Sequence, residues 1–188
     1  MNIIKSNLKF KSIQKRIETK YIVLHHIDAK NATVEQVHSW HINRGWSGIG
    51  YNFYVRKDGT VYEGRPIDAV GAHTVNYNSV SVGISFEGNF MVETMPDAQY
   101  KAGLELISYL KTIYPTAIIK GHKELQATSC PGANFPLNKF KRMEEKKMTF
   151  EEAKAIVKEK YGFSDETMQF LSCYIYREAL MERLVKGA

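Results

Sequence analysis

His122 and Cys130 stand in one stretch, Gly121–Gly132, which reads GHKELQATSCPG. It follows an apolar, strand-like run, Ala117-Ile118-Ile119, and ends in a Pro-Gly turn. Imidazole and thiolate are side chains that Zn²⁺ prefers, so a His and a Cys in a loop after a strand suit a soft-metal site. Two ligands are too few, and the rest of the chain has to supply a third. His25 and His26 close another apolar, β-rich run, Tyr21–Ile27. Neighbouring strand residues face opposite sides, so at most one of the pair points into a given cleft. On the residues alone two readings of that histidine stand: metal ligand, or hydrogen-bonded member of the core.

The elements that must position these groups follow from local pattern. Thr33 with Gln36 forms a capping box, and Val34, Val37 and His41 share one face of the helix that ends near Arg44-Gly45. The segment Ser47–Tyr51 is a Gly-rich loop entering a strand. Tyr51–Arg56 and Thr60–Glu63 read as strands joined by Asp58-Gly59, a strong hairpin signal. Alternation puts Tyr51 with Phe53 and Val55 in the core, although its place after Gly50 leaves the hydroxyl a way into a cleft. Residues 64–79 lack periodicity and form a loop carrying His73 and Asn78. Val80–Glu87 alternates, with a small polar face (Ser81, Gly83, Ser85, Glu87) that a group can approach closely, or that solvent covers. Pro96–Tyr114 is an amphipathic helix stopped by Pro115, and Thr116–Lys120 is the next strand. Strands and helices at this spacing predict an α/β domain with helices layered on a sheet.

Composition excludes two classes. With 44% hydrophobic and 24% charged residues the chain is neither disordered nor membrane-spanning. Residues 1–20 hold five Lys and one Arg against one Glu, a basic N-terminal arm that suits an anionic partner or simply solubilises the chain. No apolar signal segment is visible there, which predicts synthesis in the cytoplasm with both cysteines, Cys130 and Cys173, as thiols. Residues 149–188 read as a helical hairpin: Thr149 and Glu152 cap one helix, Gly162 ends it, and Ser164 caps a second with an apolar stripe through Leu171, Tyr174, Ile175, Met181 and Leu184. The domains expected are therefore the arm 1–20, an α/β domain 21–145 and a helical appendage 146–188 that packs on the domain, dimerises or docks on a partner.

His25 after a strand, GYNF at a strand start, a GAH loop, the strand SVGISFEGNF and His-x7-Cys form an ordered set. The set resembles the zinc-dependent N-acetylmuramoyl-L-alanine amidases, the family shared by phage lysozyme-type amidases and animal peptidoglycan recognition proteins. The resemblance covers about residues 20–142, through GWSGIGYNF, DGTVYEGR and VGAHT as well, and leaves out 149–188. It implies a mixed central β-sheet flanked by helices, with Zn²⁺ held by His25, His122 and Cys130. It implies Tyr51 and Thr128 as catalytic residues; lysozyme-like members often carry Lys at the latter position and recognition-protein amidases often Thr. Some relatives place a catalytic acid on the strand matching Val80–Glu87. Ser85 stands there in this chain, and Glu87, one step along the same face, is the candidate. The implied substrate groove holds His73 and Asn78, with His41 and Arg44 as further positions.

The activity implied is hydrolysis of the amide between N-acetylmuramic acid and L-alanine by zinc-activated water, in a phage or prophage endolysin that reaches the wall after membrane permeabilisation. Its partners are bacterial peptidoglycan and anionic wall polymers. Nucleic acid is not expected, because the positive charge is concentrated in the first twenty residues, and no transmembrane segment is expected. The alternatives are a non-catalytic peptidoglycan-binding module, whose members commonly lack the cysteine, and a cytoplasmic wall-recycling amidase, which typically has Asp at that position.

Overall fold

The apolar strand runs assemble into one mixed sheet. Its strands are β1 (Ile3–Lys5), β2 (Tyr21–His26), β3 (Phe53–Val55), β4 (Val61–Glu63), β5 (Ser81–Phe86) and β6 (Ile118–Gly121), in the order β1-β4-β3-β5-β2-β6. Only β3 and β4 pair antiparallel; every other neighbouring pair is parallel. The computed structural model describes residues 2–145 and 150–172, with Leu180, Leu184 and Val185. The chain divides into two units, residues 1–144 and 145–188.

In the first unit both faces of the sheet are covered, as a parallel sheet requires. Ile22 and Leu24 of β2, Phe53 and Val55 of β3, and Val82, Ile84 and Phe86 of β5 pack with Leu106, Ile107 and Leu110 of α2 (Asp97–Ile113) and with Leu137 and Phe140 of α3 (Leu137–Glu145). On the other face Tyr54 packs with Val34 and Val37 of α1 (Val34–Asn43). The capping box of α1 forms as the sequence predicts: Gln36 N–H donates to Thr33 Oγ1, and Thr33 N–H to Gln36 Oε1. Arg56 N–H donates to Thr60 O and closes the β3–β4 connection, which spans more than two residues and takes Gly59 at φ +88° within it.

Two sequence expectations differ from the fold. Residues 1–20 do not stand apart as an arm. Ile3–Lys5 adds an edge strand to the sheet, and the Arg16 guanidinium, 5% exposed, donates to the carbonyls of Ala69 and Ile67 and to Tyr114 Oη. A buried cation needs those acceptors, and they tie the segment to the first unit. Tyr51 does not share the face of Phe53 and Val55. Regular pairing starts at Phe53, so the alternation does not extend back to Tyr51, which packs on the side of Tyr54.

The second unit has its own small apolar cluster. Val157 of α4 (Phe150–Tyr161) and Met168 of α5 (Asp165–Ser172) are buried, with Phe163, Leu171, Leu184 and Val185 against them. Gly162 follows α4 at φ +63°, and Ser164 Oγ accepts from Thr167 N–H at the start of α5, as its sequence predicts. The Thr149 cap and the Tyr174, Ile175 and Met181 positions lie outside the described residues.

Candidate active site

Pleating settles which of the two adjacent histidines faces the cleft. Ile22 and Leu24 point to the α2 face, so His25 points to the opposite one, where it is 1% exposed. His26 turns to the α2 face, and its Nδ1 accepts from Phe90 N–H at 3.1 Å. At the end of β6, Gly121 passes into a single 3₁₀ turn that starts with His122. Lys123 N–H donates to Cys130 O at 2.8 Å and closes the Gly121–Gly132 loop on itself. This folds Cys130 back so that its Sγ lies 3.7 Å from His25 Nδ1. The potential ligand atoms of His25, His122 and Cys130 all lie within 4.8 Å of one another, the separation that one metal ion spans. The sequence therefore named a trio that the fold does bring together.

Around the trio lie the other candidates. The ring of Tyr51 is 5.2 Å from that of His25 and 5.6 Å from that of His41. Burial, with the Cys130 sulfur as second cause, pushes the Tyr51 phenol well above its ordinary pKa, so it is a neutral O–H donor. Thr128 Oγ1 accepts from Cys130 N–H at 3.2 Å, which leaves its own proton to donate outward. His73 Nδ1 is 3.0 Å from His25 Nε2. Its ring lies so close over Gly71 and Gly83 that a Cβ on either would come within 2.5 Å of His73 Cδ2. The small face of β5 thus admits a close neighbour, and that neighbour is a histidine. Burial, then the charges of His122, Arg16 and Arg65, lower the His73 pKa to about 3. Asn78 Oδ1 accepts from the N–H groups of His73 and Thr74, both at 2.8 Å, and so braces the loop that carries them.

His41 sits between Tyr51 and Trp46, 4.6 Å from the Trp46 ring, and its Nδ1 accepts from Gly50 N–H at 2.9 Å. Burial, then Arg44, Arg65 and His38, lower its pKa to about 4. Arg44 caps the C-terminus of α1, exposed, and is a charge near His41 rather than part of the cleft lining. Glu87 belongs to a different cluster. Its carboxylate accepts from Ala32 N–H, Arg56 Nε and Lys57 N–H, and its side chain is 2% exposed. Burial alone would raise that carboxyl; the three donors outweigh it and hold the pKa below the ordinary range. Those contacts tie β5 to the segment before α1 and to the β3–β4 turn.

Beside the trio runs a cleft of about 660 Å³, lined by His73, Thr74, Asn78 and His122 and by residues the sequence reading did not single out: Ser12, Gln14, Trp46, Arg65 and Gln126. Trp46 and Arg65 fall within GWSGIGYNF and DGTVYEGR, strings the sequence does mark. Ser12 and Gln14 carry no such signal; the bonds of Lys11 N–H to Ser47 O and of Val70 N–H to Gln14 O help seat them at the cleft.

A neutral phenol, a free hydroxyl and a His₂Cys trio at the end of a cleft, on a mixed sheet, are the parts of a metal-assisted hydrolase. Residues 15–133 match the family described as N-acetylmuramoyl-L-alanine amidase, and the chain belongs to that family. It is 40% identical over 126 residues to peptidoglycan-recognition protein SC2 of Drosophila melanogaster, covering 61% of this chain and 68% of that protein. It is 38% identical over 126 residues to the endolysin of Klebsiella phage KP32, covering 62% of this chain and 83% of the endolysin. Among solved structures it is similar to N-acetylmuramoyl-L-alanine amidase LysC from Clostridium intestinale URNW, with a TM-score of 0.75 and 38% identity over 77% of this chain and 98% of LysC.

Proposed function

We propose that this amidase hydrolyses the bond between N-acetylmuramic acid and L-alanine in bacterial peptidoglycan as a lytic enzyme of the endolysin type, with Zn²⁺ held by His25, His122 and Cys130. The observation that carries the metal assignment is the convergence of two imidazoles and one thiol within 4.8 Å, at the end of a cleft, in a chain of this family. The donor set fits zinc: two neutral imidazoles and a thiolate leave a fourth position open. Burial pushes the Cys130 thiol up to about 12, so it needs a cation beside it to ionise, and a bound metal meets that need.

When bound, zinc supplies Lewis acidity that polarises an amide carbonyl and activates water. The chain's own residues do the rest. Tyr51 Oη, kept protonated by burial, donates a hydrogen bond to the oxygen on which negative charge develops. Thr128 Oγ1, oriented by Cys130 N–H, is a second donor. Trp46, His73, Asn78 and Arg65 line the cleft that would hold the stem peptide and exclude water from it. Among the described residues no helix is long and apolar enough to cross a membrane. Residues 146–188 serve as a wall-binding or oligomerising appendage.

The test is mass spectrometry of products from purified sacculi, with zinc measured on the same sample. New N-terminal L-alanine is expected, and Cys130→Ala or His122→Ala should lose both metal and product. Full hydrolysis by a metal-free Cys130→Ala variant refutes the metal assignment. Digestion that yields no free L-alanine amine refutes the bond assignment. The same digest with a chain ending at Glu145 reads the share of the appendage, which lowers lysis of intact wall and leaves soluble fragments cleaved at the full rate.

A further inference from the structure

Both imidazoles of the trio are backed from one short loop. His25 Nε2 lies 3.0 Å from His73 Nδ1 and 3.4 Å from Thr74 Oγ1. His122 Nε2 lies 2.8 Å from Gln126 Oε1, and Gln126 Nε2 donates to Val75 O at 3.0 Å. Residues 73–75 thus touch the first histidine directly and the second through the Gln126 amide.

The direction of each bond along that second path follows from donor and acceptor chemistry. A carbonyl oxygen only accepts, so the NH₂ end of Gln126 must face Val75 O. Its Oε1 is then left facing His122. An amide oxygen also only accepts, so His122 Nε2 must carry the ring proton. The lone pair of that imidazole is on Nδ1, and Nδ1 is the atom free for a metal. Reversing the amide would set Gln126 Oε1 against Val75 O, two acceptors with no proton between them.

We propose that Gln126 is a positioning residue of the metal centre: it fixes the His122 tautomer with Nδ1 toward the ion and anchors that ligand to the cleft loop at Val75. The proposal rests on the zinc reading above. It goes beyond it by giving a role to a residue that is neither a ligand nor a donor to the reacting amide. Its location gives the arrangement a second consequence. Gln126, His73 and Thr74 all line the cleft, so the surface a substrate meets is the surface that orients both imidazoles.

The test uses the full chain with Gln126→Leu, which removes the acceptor, and Gln126→Glu, which keeps an acceptor toward His122 and replaces the donor to Val75 O with a second acceptor. Zinc affinity is measured by competition with a chromogenic chelator, and ligand geometry by the absorption of the Co²⁺-substituted proteins. Removing an outer partner of a metal-bound histidine lowers affinity about 10- to 100-fold. That loss is expected for Gln126→Leu, with altered Co²⁺ bands and with the metal-free variant melting as wild type does. Gln126→Glu should recover most of the affinity. Wild-type affinity and an unchanged Co²⁺ spectrum in Gln126→Leu would overturn the proposal, as would equal losses in both variants. If the unsubstituted chain binds no zinc, the functional reading fails, an outcome read separately on the wild-type sample.

Discussion

Replacing Gly83 by Ala probes the packing that holds the first metal ligand. Gly83 lies in β5 with its α-carbon under the His73 ring. The backbone there is ordinary strand, so the cost is steric rather than conformational. An added Cβ would sit 2.5 Å from His73 Cδ2 and 2.7 Å from Nε2, distances at which something must move. Gly71 is close to the same ring as well, since a Cβ there would lie 2.3 Å from Cδ2, so the ring sits in an already crowded site. Forcing extra volume into a packed site costs about 1–3 kcal/mol. For a chain of this size each kcal/mol lowers the melting temperature by roughly 2–4 °C, so a fall of roughly 2–12 °C is expected. Displacing His73 also withdraws the partner of His25 Nε2, and zinc affinity should drop by about tenfold or more. The assay is thermal unfolding of the metal-free protein together with chelator competition. The double variant Gly83→Ala/His73→Ala removes the overlap, so its destabilisation should be less than the sum of the singles by roughly 0.5–3 kcal/mol. Additive losses, or a Gly83→Ala protein that melts and binds zinc as wild type does, would refute the reasoning.

Tyr51→Phe should lower turnover on soluble muropeptides about 100- to 1000-fold with zinc content unchanged, the loss of one donor to a developing oxyanion; an unaltered rate would return Tyr51 to a packing role. His41 titrates near 4 in the folded chain against 6.5 as its ordinary value, so the unfolded chain binds the proton between those limits. Its contribution to stability is therefore full above pH 6.5 and lost as the pH falls toward 4; in urea, wild type should lose more stability between pH 7 and 5 than His41→Asn does. Glu87→Gln should cost roughly 1–3 kcal/mol at neutral pH through weakened bonds to Arg56, Lys57 N and Ala32 N, with muropeptide turnover retained. Because the folded carboxyl is held low, the advantage of wild type over Gln should vanish as the pH drops through that lowered value. A large loss of turnover in a stably folded Glu87→Gln protein would instead make Glu87 catalytic.

What the sequence discloses and what it hides divide along the range of the interactions involved. The Thr33–Gln36 box, the 3.6-residue period of α2 and the Ser164 cap are set within a few neighbouring residues, and each forms as read. The trio is split between His25 and a loop about a hundred residues away, and it was legible through family pattern rather than spacing. Tyr51 was misplaced by extending the alternation of Phe53 and Val55 two residues too far, past the point where pairing starts. The first twenty residues read as an arm because β1 has only three residues, mostly exposed, and pairs with a strand more than fifty positions on. Arg16 looked like one more surface cation; its acceptors come from residues 67, 69 and 114, which no local rule connects to it. Gln126 is a polar loop residue in sequence and acquires a role only when Val75 and His122 flank it.

The docking of the N-terminal segment has a consequence for the order in which this chain becomes competent. Ser12 and Gln14 form part of the cleft wall, yet their anchors are Ser47, Val70 and, through Arg16, Ala69. This part of the wall is translated before the β3–β4 hairpin and the loop beyond it, and can be seated only once they exist. It is also joined to the sheet at an edge, through a three-residue ladder, where local opening is least expensive. Amide exchange at Lys11 and Arg16 therefore reports whether the cleft is whole, in the absence of any substrate.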